Sequence, residues 1–77
     1  MPLTDTHRDM LKFSRLSWQF RGARESAIRE RFGCSELTFH QRMNRLIDDP
    51  DALAEFPLDV RRLQRVRARG QRSRRAS

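Results

Sequence analysis

The pattern of hydrophobic and polar positions predicts helices along almost the whole chain, because apolar residues recur at spacings of three and four. A first helix is expected to begin at the N-cap candidates Thr4 and Asp5 and to run to about Phe20, before Arg21-Gly22. The residues expected on its buried side are Met10, Phe13, Leu16 and Phe20, with Leu11 and Trp18 on a flanking stripe. No alternating pattern typical of a strand is present.

A second helix is expected from Ala23 to Phe32, and Gly33 is expected to end it, since glycine readily adopts the positive φ of a C-terminal cap. The inner face of this helix is predicted to consist of Ala23, Ala27, Ile28 and Phe32. Ser35 is a natural N-cap for a third helix, and Glu36 in its first turn suits the helix dipole. Its buried face is predicted to consist of Phe39, Met43, Leu46 and Ile47.

Two further helices follow. Asp49 caps and Pro50 opens a short fourth helix through Ala52, Leu53 and Phe56. Pro57 opens a fifth, with Leu58, Val60, Leu63 and Val66 on its apolar side, and Gly70 is expected to end it. We therefore predict an all-α fold, a small bundle of four to five helices with a disordered basic tail over residues 71–77. The predicted division is a helical domain over residues 1–60 and an arginine-rich segment over residues 61–77.

Positive charge is concentrated at the C-terminal end of this 77-residue chain, which has a net charge of +7. Residues 1–60 hold nine Arg or Lys and ten Asp or Glu, a balance of −1, whereas residues 61–77 hold eight Arg and no acid, a balance of +8. A basic segment of this kind is typical of an anchor for a polyanion, usually nucleic acid, although a solubilising tail has the same composition.

Several function classes are disfavoured. The single cysteine, Cys34, allows no internal disulfide, and His7 and His40 are too far apart in sequence to suggest a zinc site. The chain has no apolar run long enough for a membrane span, and residues 1–12 lack the apolar centre of a secretory signal. We expect a cytoplasmic protein with no metal, cofactor, membrane partner or small-molecule substrate. No His–carboxylate–nucleophile set and no Gly-rich phosphate loop is evident, so we do not expect an enzyme.

Residues 23–47 match a helix-turn-helix, since two short helices flank a tight glycine-containing turn. Polar side chains of its second helix suit base edges in the major groove. The expected base contacts are Glu36, Leu37, His40, Gln41, Asn44 and Arg45. The expected phosphate contacts are Ser35, Arg42, Arg61, Arg62, Arg65, Arg67, Arg69, Arg72, Arg74 and Arg75. The alternative is that the residues on the second helix are the ordinary solvent-facing side of a helical hairpin.

The run AIRERFGCSELTFHQRMNRLID, residues 27–48, resembles the helix-turn-helix of sigma-factor region 4 and related bacterial regulators. Nearly the whole chain resembles a family of short uncharacterised actinobacterial and actinophage proteins, through Trp18, residues 27–53, Pro57-Leu58 and the basic end. The resemblance implies a helix-turn-helix fold and an actinobacterial or phage origin, and it implies no mechanism.

The predicted function is DNA binding by a small transcriptional regulator of the nucleoid, or of the host cytoplasm if a phage encodes it. The expected partner is double-stranded DNA, with a homodimer or RNA polymerase as a further partner, since one small domain offers little contact area. Two alternatives remain. One is a protein-interaction module, such as a phage factor that binds host transcription or division machinery, and the other is an RNA-binding protein.

Overall fold

Five helices make up the part of the chain that this computed structural model describes, namely the backbone of residues 2–76 and the side chains of residues 2–70. They are α1 (Asp5–Phe13), α2 (Arg21–Phe32), α3 (Glu36–Leu46), α4 (Pro50–Glu55) and α5 (Pro57–Ala76). No strand occurs within residues 2–76, which confirms the predicted all-α class.

Helix α1 begins where the sequence predicts and ends much earlier. The Thr4 hydroxyl accepts a hydrogen bond from the His7 amide, and the Thr4 amide donates to His7 Nδ1, which together form a capping box. The predicted end at Phe20 is wrong, because α1 ends at Phe13 and the next residue, Ser14, donates its hydroxyl to the carbonyl of Leu11. This side-chain bond satisfies a carbonyl at the helix end and stabilises the turn that follows.

The segment between α1 and α2 exposes two residues that were predicted to be buried. Leu16 is 49% exposed and Phe20 is 69% exposed, because they lie in a loop and not on a continuation of α1. Arg21-Gly22, predicted to end the first helix, instead begins α2. Trp18 remains half-buried against the ring of Phe13, with 5.5 Å between ring centroids.

The turn between α2 and α3 follows the prediction closely. Gly33 ends α2 in the left-handed region with φ of 64°, and its amide donates to the carbonyl of Arg29. The Ser35 hydroxyl accepts from the amide of Thr38 at 3.2 Å and so caps α3. Cys34 between them is half-buried.

The four predicted inner residues of α3, namely Phe39, Met43, Leu46 and Ile47, are all buried. On α2 the prediction fails at Ala23, which is exposed because it lies in the first turn, away from the core.

The core is built around aromatic rings contributed by three elements. Phe39 of α3 is 2% exposed, and its ring lies 5.5 Å from that of Phe13 on α1 and 5.2 Å from that of Phe32 on α2. The Phe13 and Phe32 rings meet edge to face at 5.4 Å, a favoured aromatic geometry. This cluster fixes the inner side of α3 and therefore determines which of its residues face solvent.

Helices α4 and α5 close the bundle. Asp49 caps α4 by accepting from the amide of Asp51, as predicted, and Val60 of α5 is fully buried. Leu58 and Val66, predicted on the apolar side of α5, are 83% and 56% exposed, so the buried stripe is narrower than expected.

The predicted end of the fifth helix at Gly70 is wrong, because the α5 backbone continues to Ala76. The predicted boundary between residues 60 and 61 therefore falls inside a single helix. The predicted disorder of residues 71–77 concerns a segment whose side chains lie outside the described residues.

A carboxylate beneath the loop after α1 connects that loop to α5. Asp59 has only 9% of its side chain exposed, and it accepts hydrogen bonds from Arg15 Nη2 at 2.6 Å and Arg15 Nε at 3.0 Å. A second guanidinium, that of Arg62, lies 3.4 Å away. The hydrogen bonds from Arg15 lower the pKa of Asp59, and they outweigh the opposing effect of burial.

We expect Asp59→Asn to lower the free energy of unfolding at pH 7 by about 1–2 kcal/mol, because it removes a charged acceptor while Arg15 remains accessible to water. Since the folded pKa lies below the unfolded value of about 3.9, the carboxylate stabilises the fold above that pH. This contribution is lost as the pH falls through the lowered pKa.

Urea unfolding at pH 7 and at about pH 3 measures the effect, with the exposed Glu25→Gln variant as a control for the loss of one negative charge. The difference in free energy of unfolding between the wild type and Asp59→Asn should be smaller at the lower pH. A difference that is the same at both pH values, or that Glu25→Gln reproduces, contradicts the assigned role.

Gly33→Ala should destabilise the protein by about 1–2 kcal/mol, since a Cβ at φ of 64° is strained even though no neighbouring atom lies within 4 Å. Gly33→Asn should cost less, because asparagine tolerates the left-handed region. Gly22→Ala, also in open space but inside α2, is the matched control and should not destabilise. Thermal unfolding of the three variants provides the ranking, and equal behaviour of Gly33→Ala and Gly22→Ala would show that the turn is not strained.

Candidate nucleic-acid interface

The outer face of α3 lies opposite Phe39 and Met43, and it is open to solvent. Five of the six residues predicted to contact bases are exposed on α3, namely Leu37, His40, Gln41, Asn44 and Arg45. Leu37, Gln41 and Asn44 follow one another at spacings of four and three, so they form one stripe along the helix. Leu37 is 69% exposed.

The sixth predicted base contact, Glu36, has a different environment. Its Oε1 accepts a hydrogen bond from Arg24 Nη1 of α2, and both side chains are 27% exposed. The same Arg24 guanidinium lies 5.7 Å from the centre of the Phe39 ring. Glu36 therefore connects the two helices of the motif and neutralises Arg24. It is half-buried rather than free to accept from a base.

The N-cap residue Ser35, predicted to contact phosphate, uses its hydroxyl within the motif. Its oxygen accepts from the Thr38 amide, and its proton is donated to Thr38 Oγ1 at 3.1 Å. Its side chain is thus already satisfied, although the residue is exposed.

Helix α5 lies along one flank of α3 in the antiparallel direction. Gln64 Nε2 donates to the carbonyl of Ile47 at 2.8 Å, and Arg67 Nη1 donates to the carbonyl of Asn44 at 3.4 Å. Further along, Gly70 and His40 line the same cavity between the two helices. Because residue numbers rise on α5 as they fall on α3, the arginine-rich helix runs back beside the exposed stripe.

Two arginines predicted to contact phosphate are engaged within the fold. Arg67 binds both carboxylate oxygens of Asp48, at 3.1 and 2.9 Å, and these hydrogen bonds lower the pKa of Asp48. Arg62 donates to the hydroxyl of Ser14 at 3.0 Å and pairs with Asp59. The bonds from Arg67 to Asp48 and from Arg62 to Ser14 hold α5 in place. Sequence reasoning did not foresee them, because these partners lie 19 and 48 positions away along the chain.

The other predicted phosphate contacts on described side chains remain open to solvent. Among residues 2–70, six arginines form ion pairs, namely Arg8, Arg15, Arg24, Arg31, Arg62 and Arg67. Arg61, Arg65 and Arg69 are exposed on α5 at spacings of four, and Arg42 and Arg45 are exposed on α3. None of these five has a carboxylate partner within residues 2–70. Arg72, Arg74 and Arg75 lie outside the described side chains.

Two residues near this surface were not predicted to belong to it. Thr6 and His7 of α1 line a cavity together with Arg42 and Arg45 of α3. Nothing in the local sequence indicates this contact, since it depends on how α1 packs across α3. The Thr4–His7 spacing does indicate a helix cap, and that signal locates the start of α1 and hence these two side chains.

Two further features, a metal-ligand cluster and a membrane-spanning helix, are absent from the described residues. Residues 2–70 contain no group of three or more His, Cys, Asp or Glu side chains placed to hold a metal ion. In the same part of the chain no helix is both long enough and apolar enough to cross a bilayer.

Comparisons with known proteins agree with the sequence-based resemblance at the level of the family. Neither a curated protein nor a solved structure matches the chain. A family model described as "Protein of unknown function (DUF3263)" matches residues 2–75, almost the whole length. The chain therefore belongs to the DUF3263 family.

Proposed function

We propose that this protein binds double-stranded DNA as a small transcriptional regulator, with α3 in the major groove and the arginines of α5 on backbone phosphates. The observation that supports this most directly is the composition of the exposed side of α3. It presents two amides, two arginines, a histidine and a leucine, and the one carboxylate between residues 35 and 47, Glu36, is neutralised by Arg24. A surface of this kind meets bases without repelling the phosphates around them.

The dimensions of the groove determine where α5 lies in such a complex. The major groove is about 12 Å wide and one helix with its side chains is about 10–12 Å across, so α3 fills it alone. Helix α5 packs beside α3 and cannot enter with it, so it lies over the adjacent sugar-phosphate backbone. Arg65 and Arg69, both exposed, are then suited to bind phosphates of that strand.

The exposed stripe on α3 supplies the side chains for reading bases. Gln41 and Asn44 can pair with adenine N6 and N7, Arg45 with guanine O6 and N7, and Leu37 can contact a thymine methyl group. Leu37 is 69% exposed and is therefore available for such a contact.

The resemblance of residues 27–48 to the helix-turn-helix of sigma-factor region 4 supports the same proposal. We extend it to an origin in a GC-rich actinobacterium or its phage, and to a cytoplasmic, nucleoid-associated protein. A second copy of the chain or RNA polymerase would add contact area that one domain of this size lacks.

A protein-interaction module is the second candidate, and the exposed side chains of Phe20 and Leu58 favour it. They are 69% and 83% exposed, so a protein partner that covered them would remove apolar surface from water. This candidate predicts that a partner protein pulled down from lysate stays bound after nuclease treatment. The DNA proposal predicts that nuclease treatment releases whatever is pulled down. RNA binding is tested by competition of single-stranded RNA against duplex DNA.

The paired variant Arg65→Gln/Arg69→Gln should weaken binding to a mixed-sequence DNA duplex and flatten its salt dependence. The slope of log affinity against log salt should decrease in magnitude by about 1.8, since each phosphate contact contributes about 0.9. Fluorescence anisotropy across a range of salt concentrations measures the slope. Substitution is preferable to deletion of residues 61–77, because Gln64 and Arg67 hold the fold together.

The matched control is Lys12→Gln/Arg29→Gln, which removes two exposed cations from α1 and α2. It changes the net charge by the same amount and should leave the slope nearly unchanged. If both pairs of substitutions reduce the slope equally, α5 has no special place on the backbone.

Gln41→Ala and Asn44→Ala should change sequence preference while leaving the salt slope intact, because amides read bases and carry no charge. Each lost bidentate contact should reduce discrimination at one base pair by about 1–3 kcal/mol. Selection of bound fragments from random duplex DNA, followed by sequencing, measures this preference. Gln19→Ala, in the exposed loop before α2, is the control. If the wild type and these three variants all select identical sequences, this stripe does not read bases.

A further inference from the structure

We infer that the protein has a second phosphate-binding site, in the cavity between α1 and α3, for the DNA strand opposite the one that α5 covers. The inference rests on the proposed function, and it assigns Thr6 and His7 of α1 to the DNA interface beside Arg42 and Arg45 of α3. Together with α5, this site places cationic groups on both flanks of the helix that enters the groove.

The cavity has a volume of about 340 Å³, and its polar lining residues are Thr6, His7, Arg42, Arg45 and Asp49. Met10 and Leu46, both buried, are the apolar residues of its lining. These apolar side chains offer an anion no hydrogen bond, so the donors that bind the phosphate are Thr6, His7 and Arg42. The space is ample for one phosphodiester group.

The charge of the cavity is positive. Arg42 and Arg45 are exposed and have no carboxylate partner within residues 2–70, although six other arginines in that part of the chain are paired. Asp49 also lines the cavity, and its Oδ1 accepts from the amide of Asp51 at 2.9 Å in the cap of α4. Two guanidinium groups against one carboxylate leave a net positive charge. Arg42, whose guanidinium fork matches phosphate oxygens, is the phosphate ligand, and Arg45 keeps its proposed contact with guanine while adding to the positive charge.

The cap of α1 determines which ring nitrogen of His7 can donate a hydrogen bond. His7 Nδ1 accepts a hydrogen bond from the Thr4 amide, so the neutral ring carries its proton on Nε2. That N–H is therefore the ring's donor for a phosphate oxygen. The hydroxyl of Thr6, an exposed residue, is a further donor on the same side of the cavity.

The two flanks of α3 explain why these donors and α5 contact different strands. On α3, Arg42 and Arg45 lie on the side of Gln41 that faces α1, whereas His40 and Asn44 lie on the side that faces α5. A helix in the major groove has one sugar-phosphate backbone along each side. The α1 cavity and the α5 arginines therefore meet opposite strands.

His7→Glu tests the site, and His7→Gln is its matched control. Glutamate and glutamine both favour the capping box, so both variants are expected to retain α1, and only glutamate brings a negative charge into the cavity. His7→Glu should weaken binding to the selected duplex about tenfold relative to His7→Gln, the effect of losing one charge-assisted contact. Thr6→Glu, which lies outside the capping pair, should weaken binding similarly. Gln19→Glu, which adds the same charge in the loop, should have little effect.

A scan of the same duplex, in which each phosphate in turn is replaced by an uncharged methylphosphonate, identifies the phosphates that the protein contacts on each strand. Wild-type protein should lose affinity at two clusters of positions, one on each strand across the groove. His7→Glu should lose its sensitivity at one cluster, and Arg65→Gln/Arg69→Gln should lose it at the other. If wild-type protein binds duplex DNA but His7→Glu and His7→Gln behave alike, the cavity holds no phosphate and the proposed function stands. If wild-type protein binds no duplex, both fail.

Discussion

The burial of one side of α3 against the aromatic rings of α1 and α2 is the constraint on which the rest of the structure depends. A helix of 11 residues is not stable alone in water, so tertiary packing determines whether and how it forms. Phe39 is held between Phe13 and Phe32 at ring distances of 5.5 and 5.2 Å, and this contact sets the rotation of α3 about its axis. The exposed stripe on the opposite side is a direct result, since a helix has only one orientation that buries Phe39, Met43, Leu46 and Ile47 together.

The motif around α3 could be predicted from the sequence because its local signals agree with one another. The glycine at position 33, the serine cap at position 35 and the spacing of the buried residues each indicate the same boundaries. The first helix could not be delimited in the same way. Its apolar spacing continues through Leu16 and Phe20, but the Ser14 hydroxyl bonds to the carbonyl of Leu11 and the chain leaves the helix. Periodicity alone does not detect such a stop, and the residues beyond it are exposed.

The sequence predicts the residue types of the candidate interface, but it does not show which of those side chains are free of intramolecular partners. The sequence indicates that arginines abound near the C-terminus, and it does not indicate which of them are already bound to carboxylates. Arg67 pairs with Asp48 and Arg15 pairs with Asp59, contacts that span 19 and 44 positions along the chain. These long-range pairs arise from the packing of α5 against the bundle. The same packing leaves Arg61, Arg65 and Arg69 exposed. The side chains of α1 that approach α3 escaped sequence reasoning for a separate reason, namely that their position depends on how α1 packs across α3.

The attachment of α5 to α3 through Gln64 and Arg67 has a consequence for how association proceeds. A disordered cationic tail loses backbone and side-chain conformational entropy when it settles on a polyanion, and the backbone part is roughly 1–2 kcal/mol for each residue. Here the backbone that presents Arg65 and Arg69 is already ordered before any encounter, so part of that loss is incurred during folding. Helix α5 is also fixed in angle relative to α3. In the proposed complex, a polyanion that binds one helix is therefore already in position to contact the other. The two helices then bind it together as one rigid unit.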